Sequence, residues 1–238
     1  PAELHAMGLK ELESIEAQMR AIAAKQGHHG GLPEFSRKLE KNKRLYFTSR
    51  KELLQAFKLA LDRAQKSLPK AFGSLPSIPF EIKPIERYRE KGEISAYYYP
   101  PSKDGRRAGI FYANTYKPEI RPRYTAEALA FHEAVPGHHL QIALATELKE
   151  LPEFRRSGGG TAFIEGWALY AERLGVDLGL YSDDPSRFGM LSYQALRAAR
   201  LVVDTGLHAF RWTREQAIGF MREHTAEPEE EIINEVDR

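Results

Sequence analysis

Three histidines and one glutamate fall within the eight residues His132-Glu133-Ala134-Val135-Pro136-Gly137-His138-His139. A histidine followed at once by glutamate, with further histidine one to two turns on, is the arrangement zinc hydrolases use. Imidazoles hold the ion, and the adjoining glutamate takes a proton from the water that the ion activates. His132 is therefore a candidate ligand and Glu133 a candidate general base. The common motif spaces its two histidines four apart on one helix face, and here the position four after His132 is Pro136.

A straight helix cannot rescue the spacing. His138 would lie about 120° around the axis and roughly 9 Å along it from His132, and His139 nearly in line but roughly 10.5 Å along. Two nitrogens bound at about 2.0–2.1 Å to one zinc lie no more than roughly 4 Å apart. Pro136 offers the escape. It has no N–H for the carbonyl of His132, and it drives Val135 out of helical geometry. Gly137 permits almost any turn. The expected picture is a helix carrying His132 and Glu133, a bend at Pro136-Gly137, and a resumed helix carrying His138 and His139. His138 is favoured as second ligand because it needs the smaller insertion, and His139 is the alternative.

A third ligand is sought in Gly158-Gly159-Gly160-Thr161-Ala162-Phe163-Ile164-Glu165-Gly166-Trp167-Ala168-Leu169. Thr161 is placed to cap a helix after a glycine loop. Glu165 then falls among aromatic and aliphatic residues, where burying a carboxylate is costly unless it is paired or on a metal. Glu172 follows two turns later on the same face and is able to orient a ligand. Read alone, it is better taken as a solvated charge or an ion pair with Arg173.

These pieces carry a resemblance. The His132–His139 stretch with Leu140-Gln141, the run Glu165-Gly166-Trp167-Ala168-Leu169-Tyr170, the run Arg200-Leu201-Val202-Val203-Asp204-Thr205-Gly206-Leu207-His208 and the strand-like Gly109–Asn114 resemble the bacterial domain of unknown function 885, DUF885, over nearly the whole chain. That family is grouped with gluzincin-like zinc metallopeptidases. The resemblance implies that His132, His138 and Glu165 are zinc ligands, that Glu133 is the base, and that the substrate is a peptide or amide. It implies a zincin-like architecture. It also implies that these residues are the C-terminal part of a longer chain, whose remainder would be their partner.

A third constellation lies between Pro185 and Trp212. Tyr193, Arg197, Arg200, Asp204, His208 and Arg211 follow one another at steps of four, three, four, four and three. They form one narrow polar stripe on an otherwise apolar helix. Such a helix is expected to be largely buried, with the stripe lining a cavity or an ion-pair network. On the cavity reading, His208 and Tyr193 supply oxyanion donors and Arg200 holds substrate.

The elements that must position these groups read as α+β, mainly α-helical. Helical spacing runs over Leu9–Lys25 and, behind a Ser49 cap, over Ser49–Lys66. Short strands are expected at 80–85, 95–99 and 108–114, forming a small antiparallel sheet. From Thr125 onward the pattern is helical, and this helical core bears the metal. A helical segment over 1–75 and a sheet plus catalytic core over 76–238 are the expected domains. Ala108–Asn114 is the candidate edge strand for an extended substrate, with Asn114 on the substrate backbone. The pair His28-His29 sits in a Gly-rich loop and reads as a loop tip.

Composition narrows the classes. Lys and Arg total 35 against 33 Asp and Glu, which carries no nucleic-acid signature. No apolar run approaches a membrane span. With Cys 0, disulfides and thiolate ligands are excluded, and either an exported or a cytoplasmic origin fits, with a lean to export.

Overall fold

The computed structural model describes residues 1–238 apart from Lys103, Gly105, Ser157, Gly158, Pro228 and Arg238, so one glycine of the expected 158–160 loop lies outside the described residues. In chain order the helices and strands are α1 (Ala2–Lys25), α2 (Leu32–Lys41), α3 (Arg50–Ser67), β1 (Phe80–Pro84), β2 (Ala96–Tyr99), β3 (Gly109–Ala113), α4 (Arg123–Glu133), α5 (His138–Glu147), α6 (Glu153–Arg156), α7 (Thr161–Asp177), α8 (Asp184–Phe210), α9 (Arg214–His224) and α10 (Glu229–Asp237). The α+β reading holds. Two compact units divide the chain: residues 1–43 with 187–238, and residues 44–186. The expected boundary at 75 and 76 falls inside the second of these.

The unit of residues 44–186 carries the candidate site. Its core forms where α3, α4 and the sheet bury their apolar faces: Leu53, Phe57 and Leu61 from α3, Phe111 and Ala113 from β3, Ala130 and Phe131 from α4. The Phe57 and Phe111 rings meet edge to face with centroids 5.0 Å apart. Ser49 caps α3 as expected, accepting from the Glu52 N–H at 3.2 Å. Arg50 then grips Glu90 through both guanidinium nitrogens, at 2.7 and 2.6 Å.

The sheet differs from expectation. Its order is β1-β3-β2, with β1 parallel and β2 antiparallel to β3, so it is mixed rather than antiparallel. Alternation of side chains shows that a strand exists and says nothing about its direction. The second correction follows. The strand expected at 108–114 is β3, which is central, with a neighbour on each side, and so has no free edge for a substrate. Its burial is the cue, since Gly109, Ile110, Phe111 and Ala113 are all buried.

The other unit is helical. Leu12, Ile15, Met19 and Ile22 of α1 are buried, as are Phe188, Met190, Leu191, Ala195 and Val202 of α8. Gly8 lets α1 approach α8 closely, since a side chain there would press on Val202 and the Ala198 carbonyl. Phe35 of α2 meets Phe188 edge to face at 5.0 Å. His28 packs on Phe35 and contacts the Gly31 carbonyl at 3.2 Å, in keeping with a loop tip.

Candidate metal centre

The helix carrying His132 ends at Glu133, and the chain bends before α5 starts at His138. Ala134 leaves helical geometry at φ −109° and ψ −97°, and the Val135–Pro136 bond is cis. Gly137 is required by close approach rather than by its dihedrals, because a Cβ would overlap the carbonyl oxygens of His132 and Phe131. Two bonds hold the bend. The His139 N–H donates to the Ala134 carbonyl at 3.0 Å, and the Trp167 indole N–H of α7 donates to the Pro136 carbonyl at 2.9 Å.

The bend brings the His132 and His138 rings to a centroid separation of 4.8 Å, almost perpendicular at 86°. Helix α7 delivers Glu165. One carboxylate oxygen lies 3.5 Å from His132 Nε2 and the other 3.6 Å from His138 Nε2. The three donor atoms lie within 4.8 Å of one another. Two imidazole nitrogens and a carboxylate oxygen this close together make a donor set that could hold a metal ion. His132, His138 and Glu165 are thus brought together, and His138 rather than His139 joins the cluster.

The route to Glu165 was different from the one expected. Its side chain is 54% exposed, so burial of its charge is not what marks it. Helix α7 begins at Thr161 with Gly160 as its cap residue, and no side chain caps it. The flanking Phe163 is exposed as well.

The buried carboxylate is Glu172, at 0% exposure, and it accepts from His132 Nδ1 at 2.7 Å. The reading of Glu172 as a solvated charge is corrected. Two turns of α7 separate Glu165 from Glu172, and the two carboxylates sit at the two nitrogens of one imidazole. A carboxylate on Nδ1 makes that nitrogen the donor and leaves Nε2 as the electron pair for an ion. Tyr181 closes this floor by donating its hydroxyl to the Glu172 backbone carbonyl at 2.9 Å. Gly175 allows α7 to lie against Phe131 of α4.

Glu133 points to the sheet. Its carboxylate accepts the Tyr98 backbone N–H at 2.9 Å. Tyr98 belongs to β2, an edge strand of the sheet, so the candidate base sits at the strand edge beside His132. Sequence reading did not single out Tyr98, and the run Tyr97-Tyr98-Tyr99 was the available cue. Its hydroxyl pairs with His139 Nδ1 at 2.8 Å, and the Phe80 ring covers that imidazole at 4.8 Å. Gly109 makes room for this pair. Burial pushes the Tyr98 hydroxyl pKa up and the His139 pKa down to about 4.

The remaining expected residues have other commitments. Asn114 is 1% exposed, and its amide donates to the carbonyls of Glu90, Glu93 and Ile94 at 2.7, 2.8 and 3.1 Å. Its Oδ1 accepts the Tyr116 N–H at 2.9 Å. It clamps a loop, and its bonding capacity is used there rather than on a substrate. Arg200 binds Glu235 of α10 bidentately at 2.6 and 2.7 Å. The Arg197 guanidinium lies 5.7 Å from the Tyr193 ring centroid. His208 is 78% exposed and 3.7 Å from Asp204. The expectation that the stripe lines a cavity or an internal ion-pair network fails at Asp204, His208 and Arg211, which are exposed while Val202, Val203, Thr205 and Gly206 turn inward.

Over residues 1–238 the chain matches the family described as bacterial protein of unknown function, DUF885. The chain belongs to the DUF885 family. No match was found among curated proteins. Among solved structures, this DUF885 chain is similar to a "putative lipoprotein" from Colwellia psychrerythraea, at 37% identity and a TM-score of 0.92, covering 100% of this chain and 42% of that one. It also shares its fold with a "putative lipoprotein of unknown function" from Shewanella oneidensis, at 17% identity and a TM-score of 0.76, covering 98% of this chain and 45% of the other. The chain thus spans less than half the length of either.

Proposed function

We propose that this DUF885 chain carries the metal centre of an exported zinc-dependent hydrolase of peptide or amide bonds, of gluzincin-like type. The observation that carries the reading is His132. It has a potential ion ligand, Glu165, at one nitrogen and a buried carboxylate, Glu172, at the other, and the next residue is a glutamate held at a strand edge. His132, His138 and Glu165 would hold the ion. Zinc bound there would supply a Lewis acid able to activate water and polarise a carbonyl.

The chain's own residues account for the rest. Glu172 fixes the tautomer and direction of the His132 ring. The Tyr98 N–H holds the Glu133 carboxylate in place as a base that takes the proton from water and passes it to the leaving amine. The edge strand β2 offers main-chain groups to an extended substrate next to that base. An exported location is supported by the lipoprotein descriptions of both similar structures. Among the described residues no helix is long and apolar enough to cross a membrane.

Elemental analysis of the purified chain and of His132→Ala tests the metal assignment. One zinc per chain, lost in the variant, is expected, and full zinc in His132→Ala would remove the centre. Zinc retained by a chain that cleaves no peptide library, alone or within its longer parent, would favour a structural metal site.

A further inference from the structure

A cavity of about 570 Å³ opens in the same unit as the metal centre, and its walls are the direct continuation of the elements that build that centre. Gln141, Ile142 and Ala145 follow His138 along α5. Phe163 and Ile164 immediately precede Glu165 on α7. Tyr99 follows Tyr98, whose N–H holds Glu133. The cavity and the His132, His138 and Glu165 cluster thus draw on the same helices, α5 and α7. The volume is that of a site for a small organic group rather than for a whole protein surface.

Two features define what fits. One wall is apolar, made by Pro100, Pro101, Ile142, Ala145, Phe163 and Ile164. Phe163 is 67% exposed, a large aromatic surface left open beside the cavity. The charged part of the lining is mainly cationic, Arg107, Arg155 and Arg156 against the carboxylate Glu153, and Tyr99, Gln141, Thr146 and Gly159 complete it. Arg107 is already anchored, stacked over Tyr99 at 4.5 Å and donating to the Pro100 carbonyl at 2.7 Å. A guanidinium held this way loses little freedom when it accepts an anion, and guanidinium is suited to a carboxylate through paired N–H groups.

We infer that this cavity receives the carboxy-terminal residue of a short peptide, its side chain on the apolar wall and its free carboxylate on the arginines. The inference rests on the hydrolase reading for the choice of a peptide over another carboxylate. It makes the substrate a peptide with a free C-terminus and an apolar last residue, released as the leaving amine.

The test measures binding apart from cleavage. The zinc-loaded Glu133→Gln chain is titrated calorimetrically with N-acetyl-glycyl-glycyl-leucine, with its C-terminal amide, and with the amide of N-acetyl-glycyl-glycyl-aspartate. The free acid should bind about tenfold or more tightly than either amide, the span of one charge-assisted hydrogen bond. Arg107→Gln combined with Arg155→Gln and Arg156→Gln should erase that preference while leaving the leucine amide unchanged. Ala145→Trp, which fills the cavity from α5, should weaken the acid and the leucine amide together. Equal binding of acid and leucine amide, equal binding of the aspartate amide, or indifference to Ala145→Trp would each overturn the inference. The two readings separate in the longer parent protein. Acid-selective binding without cleavage retires the hydrolase and keeps the pocket, whereas equal cleavage of acid and amide keeps the hydrolase and retires the pocket.

Discussion

Glu172 and His132 are 40 residues apart in the chain and 2.7 Å apart in the fold, joined through Nδ1. The carboxylate is fully buried, and a buried charge is tolerated only where a partner answers it. Glu172 thus ties the site to the interior of the α4–α7 packing, while Glu165, on the same helix, meets solvent.

Glu172→Gln is expected to lower zinc affinity about 10–100-fold, the usual cost of altering a group behind a metal-binding histidine. The fold should survive, since the amide oxygen still accepts from Nδ1. Competition with a chromophoric chelator measures the affinity. An unaltered dissociation constant in this variant and in Glu172→Ala would show that the carboxylate does not tune the imidazole.

His138→Ala and His139→Ala should part company. The first is expected to lose stoichiometric zinc. The second should keep it and lose about 1–3 kcal/mol of stability, because the half-buried Tyr98 hydroxyl is left without its ring partner. Zinc analysis and urea unfolding together decide. Loss of zinc only in the His139 variant would exchange their roles.

Glu133→Gln should retain zinc and the fold, because the amide oxygen still accepts the Tyr98 N–H. Turnover should fall about 10²–10⁴-fold, the range that a positioned proton-transfer group contributes. Steady-state rates on the longer parent protein are the measurement. Full turnover with zinc bound would remove Glu133 from the mechanism.

Gly137→Ala should destabilise at or beyond the roughly 3 kcal/mol that bounds most point mutations. The new methyl group has no place between the His132 and Phe131 carbonyls. Thermal melting of the metal-free chain reads this directly. A melting temperature matching the parent would mean that the bend relaxes without cost.

Glu227, in the unit of residues 1–43 and 187–238, provides a pH test. Burial pushes its pKa up first, Glu231 and Glu235 add to this, and Arg200 and Arg197 oppose it. The folded state therefore holds its proton to higher pH than the unfolded state does. Stability from this group is present below the ordinary carboxylate value of 4.5 and is lost as pH rises through the raised one. Glu227→Gln should melt higher than the parent at neutral pH, with the gap closing toward pH 4. A gap that is constant across that range would exclude a titrating Glu227.

Much of this site was legible because its central part is local. The spacing of His132 and His138 and the break at Pro136-Gly137 lie within seven residues, where helix geometry alone demands a bend. Glu165 was found for a reason that did not hold, since the carboxylate taken as buried is the exposed one. Glu172 was discounted because its partner lies on another helix, and no local pattern announces such a contact. Strand direction in the sheet and the central place of β3 are likewise products of chain return. Asn114 shows the same limit. A polar residue at a strand end suits a substrate or a loop equally well, and only the three carbonyls around it decide. On α8 the half-buried Tyr193, Arg197 and Arg200 are followed by exposed Asp204 and His208, and Arg211 stands beyond the helix end, because angular counting cannot say where a long helix emerges into water or stops.

The bond from Trp167 to the Pro136 carbonyl also makes the bend visible to light. The chain has two tryptophans, Trp167 and Trp212. Trp167 stands two residues after Glu165 and reaches the backbone between His132 and His138. Its indole emission should therefore report on that segment if an ion binds at His132, His138 and Glu165. In a Trp212→Phe chain, ultraviolet fluorescence would make a single-site gauge of metal binding, with no label attached and no substrate needed.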